Sequence, residues 1–281
     1  HNWLDFLTIE RLENRTQDIL TKLNNNKYDF QEVFYHKLAR AYGFNINSAA
    51  FELLAAYTPL NILYKHRNNI LQLEAILYGQ AGLLSQDFKD NYPQELKREF
   101  LFLSHKYGLI PMNKKLWKFM RSRPTNFPSI RISQFASFIQ KSEAILTQIF
   151  ETKKLKTVEN LLQTKASPYW NNHYRFDLPA TKSVPKKLGK ASVNLLLINT
   201  IIPFMFTYGH LNNLPKLKNQ SIDWLEEIQA ESNIITRKFS KHNIKPINAF
   251  QSQALIQLFK GYCTEKRCLD CRIGQKLLNK I

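Results

Sequence analysis

Apolar side chains recur at intervals of three and four along almost the whole chain, a period that favours helices and leaves little room for strands. Only 8 glycines and 11 prolines interrupt it, so each break can be read by itself. Leu4, Leu7, Leu12, Ile19, Leu20 and Leu23 line one side of a first helix over residues 3–23, which the Asn24-Asn25-Asn26 run ends. A second helix covers 30–42 and stops at Gly43. Asn47 or Ser48 caps a third, and Pro59 breaks it. Pro93 stands in the first turn of a helix that Gly108 terminates, and Ser129 caps another running to about Phe150. Asp223, Glu226, Glu227 and Glu231 sit at the spacing of a solvated face on a helix over 221–232, and a helix over 248–262 leads into the cysteines.

These readings predict an all-α fold, a multi-helix bundle of two closely packed lobes. The lobes are residues 1–110 and 111–281, meeting near 108–130, or else one continuous domain. With 44% of its residues apolar, the chain can bury a full core. The apolar run over 195–206 contains Asn199, Thr200 and Pro203 and falls short of the roughly 20 residues a bilayer requires. It predicts a buried helix and no membrane partner. The chain begins at His1 without a methionine, which predicts a piece of a longer protein or the remnant of a tag.

Lys and Arg number 40 against 22 Asp and Glu, a formal charge of +18 that predicts attraction to polyanions such as DNA or RNA. Abundant Lys, Asn and Ile also arise from coding bias alone, so the shortage of acids is the more informative half. The cations of one segment carry the sharper signal. Lys114, Lys115, Lys118, Arg121, Arg123 and Arg131 stand among Trp117, Phe119 and Phe127, a pairing of phosphate-directed charge with stacking surface. The competing reading has the arginines locking an irregular loop onto the core beside Pro124 and Pro128. The aromatic loop Tyr169-Trp170-Asn171-Asn172-His173-Tyr174-Arg175-Phe176 reads mainly as packing.

All three cysteines fall within nine positions, as Cys263-x4-Cys268-x2-Cys271. Three soft ligands on a short loop suit one zinc ion or an iron–sulfur cluster, either of which needs a fourth donor, for which His173, His210 and His242 are candidates. The alternatives are inert packed thiols, or a reactive thiol activated by Lys266 and Arg267. An odd number of clustered cysteines suits a reducing compartment, so a cytoplasmic location is expected. No Gly-rich phosphate loop, nucleophile elbow or His-Glu-x-x-His motif is present, and no catalytic residue can be named.

Six segments in order, Ile9-Glu10-Arg11-Leu12, Glu74-Ala75-Ile76-Leu77-Tyr78-Gly79-Gln80-Ala81-Gly82-Leu83-Leu84, Arg123-Pro124-Thr125-Asn126-Phe127-Pro128-Ser129-Ile130-Arg131, Leu196-Leu197-Ile198-Asn199-Thr200-Ile201-Ile202-Pro203, Ser252-Gln253-Ala254-Leu255 and residues 263–274, resemble the bacterial domain-of-unknown-function family 2851. The likeness spans essentially the whole chain. It implies a longer protein with a β-rich region in front, carrying Gly-Pro-Asp-Phe and Val-Glu-Ile-His elements similar to the metal-binding acids of PD-(D/E)xK nucleases. On that resemblance the present chain is the helical companion of a metal-dependent nuclease domain, which would be its partner, and is not itself the enzyme. A cysteine often found in the family's lead-in would supply the fourth metal donor.

Overall fold

The computed structural model describes residues 2–278, and these are predominantly helical, 66% by count, with one two-stranded hairpin among the described residues. The fold is all-α, as the apolar period requires. Two compact units divide it, one formed by residues 29–200 and the other by residues 1–28 together with 201–281. The segment 108–130, expected as a lobe boundary, lies inside the 29–200 unit. It is held there by hydrogen bonds to backbone carbonyls: the Met112 N–H donates to Gln80 O at 2.8 Å, and the Trp117 indole donates to Ala81 O at 2.8 Å.

In the 29–200 unit the core forms around two helices, Ile70–Gln80 and Pro128–Lys141, each buried on most of its circumference. Phe135 meets Tyr42 at 5.0 Å and Tyr35 at 5.9 Å between ring centroids, while Phe51 packs edge-on against Trp117 at 5.1 Å. Such ring pairs add to area burial only in offset or tilted geometry, and these have it. Helix ends follow their sequence signals in part. Asp29 accepts from the backbone N–H groups of Gln31 and Glu32 to start Phe30–Tyr42, and Gly108, at φ 64, ends Asn91–Tyr107 in the left-handed conformation that suits glycine.

Three expected elements differ. Asn47 precedes the Ser48–Tyr57 helix but caps no N–H of it, because its amide is engaged elsewhere. Ser129 lies within the first turn of Pro128–Lys141 and gives its hydroxyl to Tyr174 O. That helix ends at Lys141, where the Ser142 hydroxyl turns back to Phe138 O at 2.7 Å and Ala144 takes φ 47, so a separate helix, Ile145–Glu151, follows. Local hydroxyl bonding of this kind competes with helix continuation and is invisible to apolar spacing.

The other unit packs Asn2–Asn25 against Ala249–Gln257 and Ile202–Leu211 against Pro215–Glu227. Buried hydroxyls pin it: Thr16 meets Thr207 at 2.9 Å, and Thr8 donates to Phe250 O at 2.9 Å. The expected surface helix over 221–232 is instead Pro215–Glu227. Glu231 lies beyond it, half-buried, where it accepts from the Gln253 amide, whose own oxygen accepts from Arg11 at 2.5 Å. The apolar run over 195–206 proves to be part of a continuous helix, Lys190–Leu211, with a π-helical turn at Leu197–Ile201 just ahead of Pro203. Proline cannot donate to the carbonyl one turn back, and the widened turn is where the ladder accommodates it. At 22 residues and mean hydropathy 1.5 this helix is longer than the sequence run suggested and long enough to span a bilayer, yet 67% of its most apolar window is buried within the protein.

Candidate functional site

Three stretches that look unrelated in the sequence converge on one groove in the 29–200 unit. Leu83, Ser85 and Gln86 come from the turn after Ile70–Gln80, Lys114, Phe119 and Ser129 from the basic and aromatic segment, and Arg175, Phe176 and Leu178 from the hairpin His173–Arg175 with Leu178–Pro179. The recess measures about 300 Å³. Its two charged residues are cations, and among the described residues no carboxylate lines it. Lys114 Nζ lies 3.3 Å from Ser85 Oγ, while the Arg175 guanidinium carbon lies 4.9 Å from the Phe119 ring centroid and 5.3 Å from that of Phe127. The two rings, 76° apart, attract the cation without offering a hydrogen-bond acceptor to its N–H groups.

The basic segment is clamped from behind. Asn47, 4% exposed, accepts from the Lys118 N–H at 2.8 Å and donates to Lys118 O at 2.9 Å, so that its amide imitates a paired strand. Lys114, Lys115, Lys118, Arg121 and Arg123 are all exposed, and Arg121 sits at φ 59 in the left-handed region. Among the described residues, no carboxylate lies within ion-pair distance of these five or of Arg175. Arg131 departs from the expected set. It is 4% exposed, donates to Gln134 at 2.8 Å and to Asn126, and lies 4.5 Å from the Phe44 ring. Burial lowers its guanidinium to about 10. Arg131 fastens the 124–131 turn to the core and presents no surface to a ligand.

Behind the groove a buried polar network ties the contributing elements together. Glu74, 1% exposed, accepts from Tyr92 at 2.6 Å, Ser167 at 2.7 Å and Ser133. Burial pushes its carboxyl up, and the three hydroxyls pull it partly back. Tyr169 donates to Asp90 at 2.6 Å and stacks on His173 at 4.0 Å, and the Asp177 carboxylate accepts from the backbone N–H groups of Lys89 and Asp90, both at 3.0 Å. These bonds hold the hairpin, and with it Arg175, against residues 85–92. Arg175 escaped the sequence reading because it sits in a run dominated by rings, and a lone cation inside an aromatic stretch was the signal available.

The cysteines are differently placed. Cys263 and Cys268 are exposed, and Cys271 is partly buried against Leu7, Leu258 and Tyr262. Burial pushes the Cys263 thiol up, with Cys271 and Cys268 adding to the shift, the opposite of what an activated nucleophile requires. Arg267 is occupied by Asp270 at 2.9 Å. Among the described residues, no group of three or more His, Cys, Asp or Glu side chains is arranged to hold a metal ion, and none of His173, His210 and His242 completes one.

Fold and site together define a class: a basic, all-α protein with a cationic and aromatic groove in its 29–200 unit. The chain belongs to the family described as protein of unknown function (DUF2851), whose model matches residues 1–234. That span takes in the whole groove and four of the six family-like segments, whereas Ser252-Gln253-Ala254-Leu255 and the cysteines lie beyond it. No curated protein and no solved structure matches the chain.

Proposed function

We propose that this chain is a nucleic-acid-associated helical region whose contact face is the groove and the cations beside it. The observation that carries this reading is the set of exposed cations, Lys114, Lys115, Lys118, Arg121, Arg123 and Arg175, without a carboxylate partner among the described residues; two of these cations, Lys114 and Arg175, line the groove beside its aromatic side chains. Charge left unpaired in this way is solvated at no gain to the fold, and phosphates are the ligands that make use of it. In a longer protein of the kind the family resemblance implies, the region would hold a strand for a nuclease-like domain, and any cleavage would belong to that domain.

Fluorescence anisotropy with labelled DNA and RNA tests the proposal. Affinity should fall steeply between about 50 and 200 mM salt, and each of Lys115→Ala, Lys118→Ala, Arg121→Ala and Arg123→Ala should reduce the salt slope by about one. Undetectable binding at low salt, or slopes unaltered in all four variants, would sink it. A protein-interaction module is the second reading, and the exposure of Leu101, Phe102 and Ile110 favours it, at 60%, 64% and 73%. Metal at Cys263, Cys268 and Cys271 is a separate proposal that requires the loop to draw its thiols together. Zinc by elemental analysis, or iron–sulfur absorbance, lost in Cys268→Ser would uphold it, and metal-free protein after reductive purification would remove it.

A further inference from the structure

We infer that the groove takes one nucleotide unit of a single-stranded nucleic acid, with its phosphate against Arg175 and Lys114 and its base against Phe119, Leu83 and Leu178. This rests on the nucleic-acid reading above and narrows it. Size is the first argument. A recess of about 300 Å³ is at the lower end for a ligand site, which suits a single nucleotide unit.

Wall chemistry is the second. A duplex turns its phosphates outward and keeps its base faces stacked inside, so the apolar wall formed by Leu83, Phe119, Phe176 and Leu178 would meet nothing of it. A single strand offers a charge and a flat apolar face in every unit, and sites that combine cations with rings are how proteins hold it. Arg175 is set for this role because Phe119 and Phe127 hold its head group by cation–π attraction while its N–H groups have no protein acceptor among the described residues. Continuity is the third argument. The exposed Lys115, Lys118, Arg121 and Arg123 lie on the segment that supplies Lys114 and Phe119 to the groove, and so offer charge to the phosphates of neighbouring units. A free phosphate would leave the apolar wall unused, and an acidic peptide would present no ring beside each charge.

The test uses the whole chain and four probes in one anisotropy assay: a labelled single strand, its duplex, an unlabelled mononucleotide and polyglutamate as competitors. The single strand should bind about tenfold tighter than the duplex at equal salt, and Arg175→Ala should lose about tenfold for the strand, the equivalent of ~1.4 kcal/mol, with a much smaller change for the duplex. Phe119→Leu should weaken the strand several-fold. Should Arg175→Ala lower the unfolding midpoint, Lys114→Gln, on an exposed residue of another element, gives the same reading, a selective loss for the strand. Duplex binding as tight as the strand, equal losses for both probes, a mononucleotide as tight as the strand, or displacement by polyglutamate as readily as by unlabelled strand would overturn the inference. Absence of binding to either nucleic acid would overturn the parent reading as well, so the two failures are distinguishable.

Discussion

Glu74 shows what a single residue can carry in this fold. Its carboxylate is out of water with three hydroxyl donors and no cation beside it among the described residues, so the ionised form survives on hydrogen bonds alone. Because burial raises its pKa above the unfolded value, the folded chain holds the proton more tightly. Glu74 therefore contributes most below the usual carboxylate range of about 4.3, and the contribution is lost as pH rises through the folded value. The stability difference between the natural chain and Glu74→Gln, measured by urea unfolding, should decline with rising pH over that window and then level off. A difference that is flat from acid to neutral pH would refute the assignment. Glu74→Ala leaves three hydroxyls without their acceptor and should cost about 1–3 kcal/mol. The sequence placed Glu74 in a family-like segment without showing its role, since Tyr92, Ser133 and Ser167 come from three other stretches of chain.

At the scale of elements, the groove depends on how an irregular segment is held. Asn47 grips Lys118 by both backbone groups, Trp117 is anchored on Ala81, and Gly82, at φ 71, turns the chain where a Cβ would stand 2.5 Å from Met112 O. Asn47→Ala removes the first of these grips. Amide hydrogen exchange over 117–121 should accelerate at least tenfold, and single-strand affinity should fall several-fold, while the far-ultraviolet circular dichroism stays helical. Unchanged exchange in this segment would show that Trp117 alone suffices. Helices with a clear apolar stripe, such as Phe30–Tyr42 and Asn91–Tyr107, could be read from spacing and caps. What could not be read was which polar side chains leave their local role for a distant one. Asn47 looks like a cap and serves as a clamp, Ser129 looks like a cap and bonds the hairpin, and Arg131 looks like a ligand contact and is a core fastener.

At the scale of the molecule, the formal charge of +18 predicted a polyanion partner without saying where it would bind, and spacing predicted helices without their grouping. The 29–200 unit is continuous in sequence and has its own aromatic core, so a fragment of those residues should fold with helical circular dichroism and one cooperative melting transition, and on the proposed reading should keep the chain's affinity for a single strand. A fragment that stays unfolded, or a folded one that has lost binding, would refute this. The other unit is built from the two separated stretches 1–28 and 201–281. On a ribosome, at about 5–20 residues per second, the helix Asn2–Asn25 emerges roughly 10–40 s before Ala249–Gln257, the partner that buries Leu7, is made. During synthesis that first helix is thus an amphipathic segment without its packing partners, Ile202–Leu211 and Ala249–Gln257, for as long as residues 29–200 take to be made.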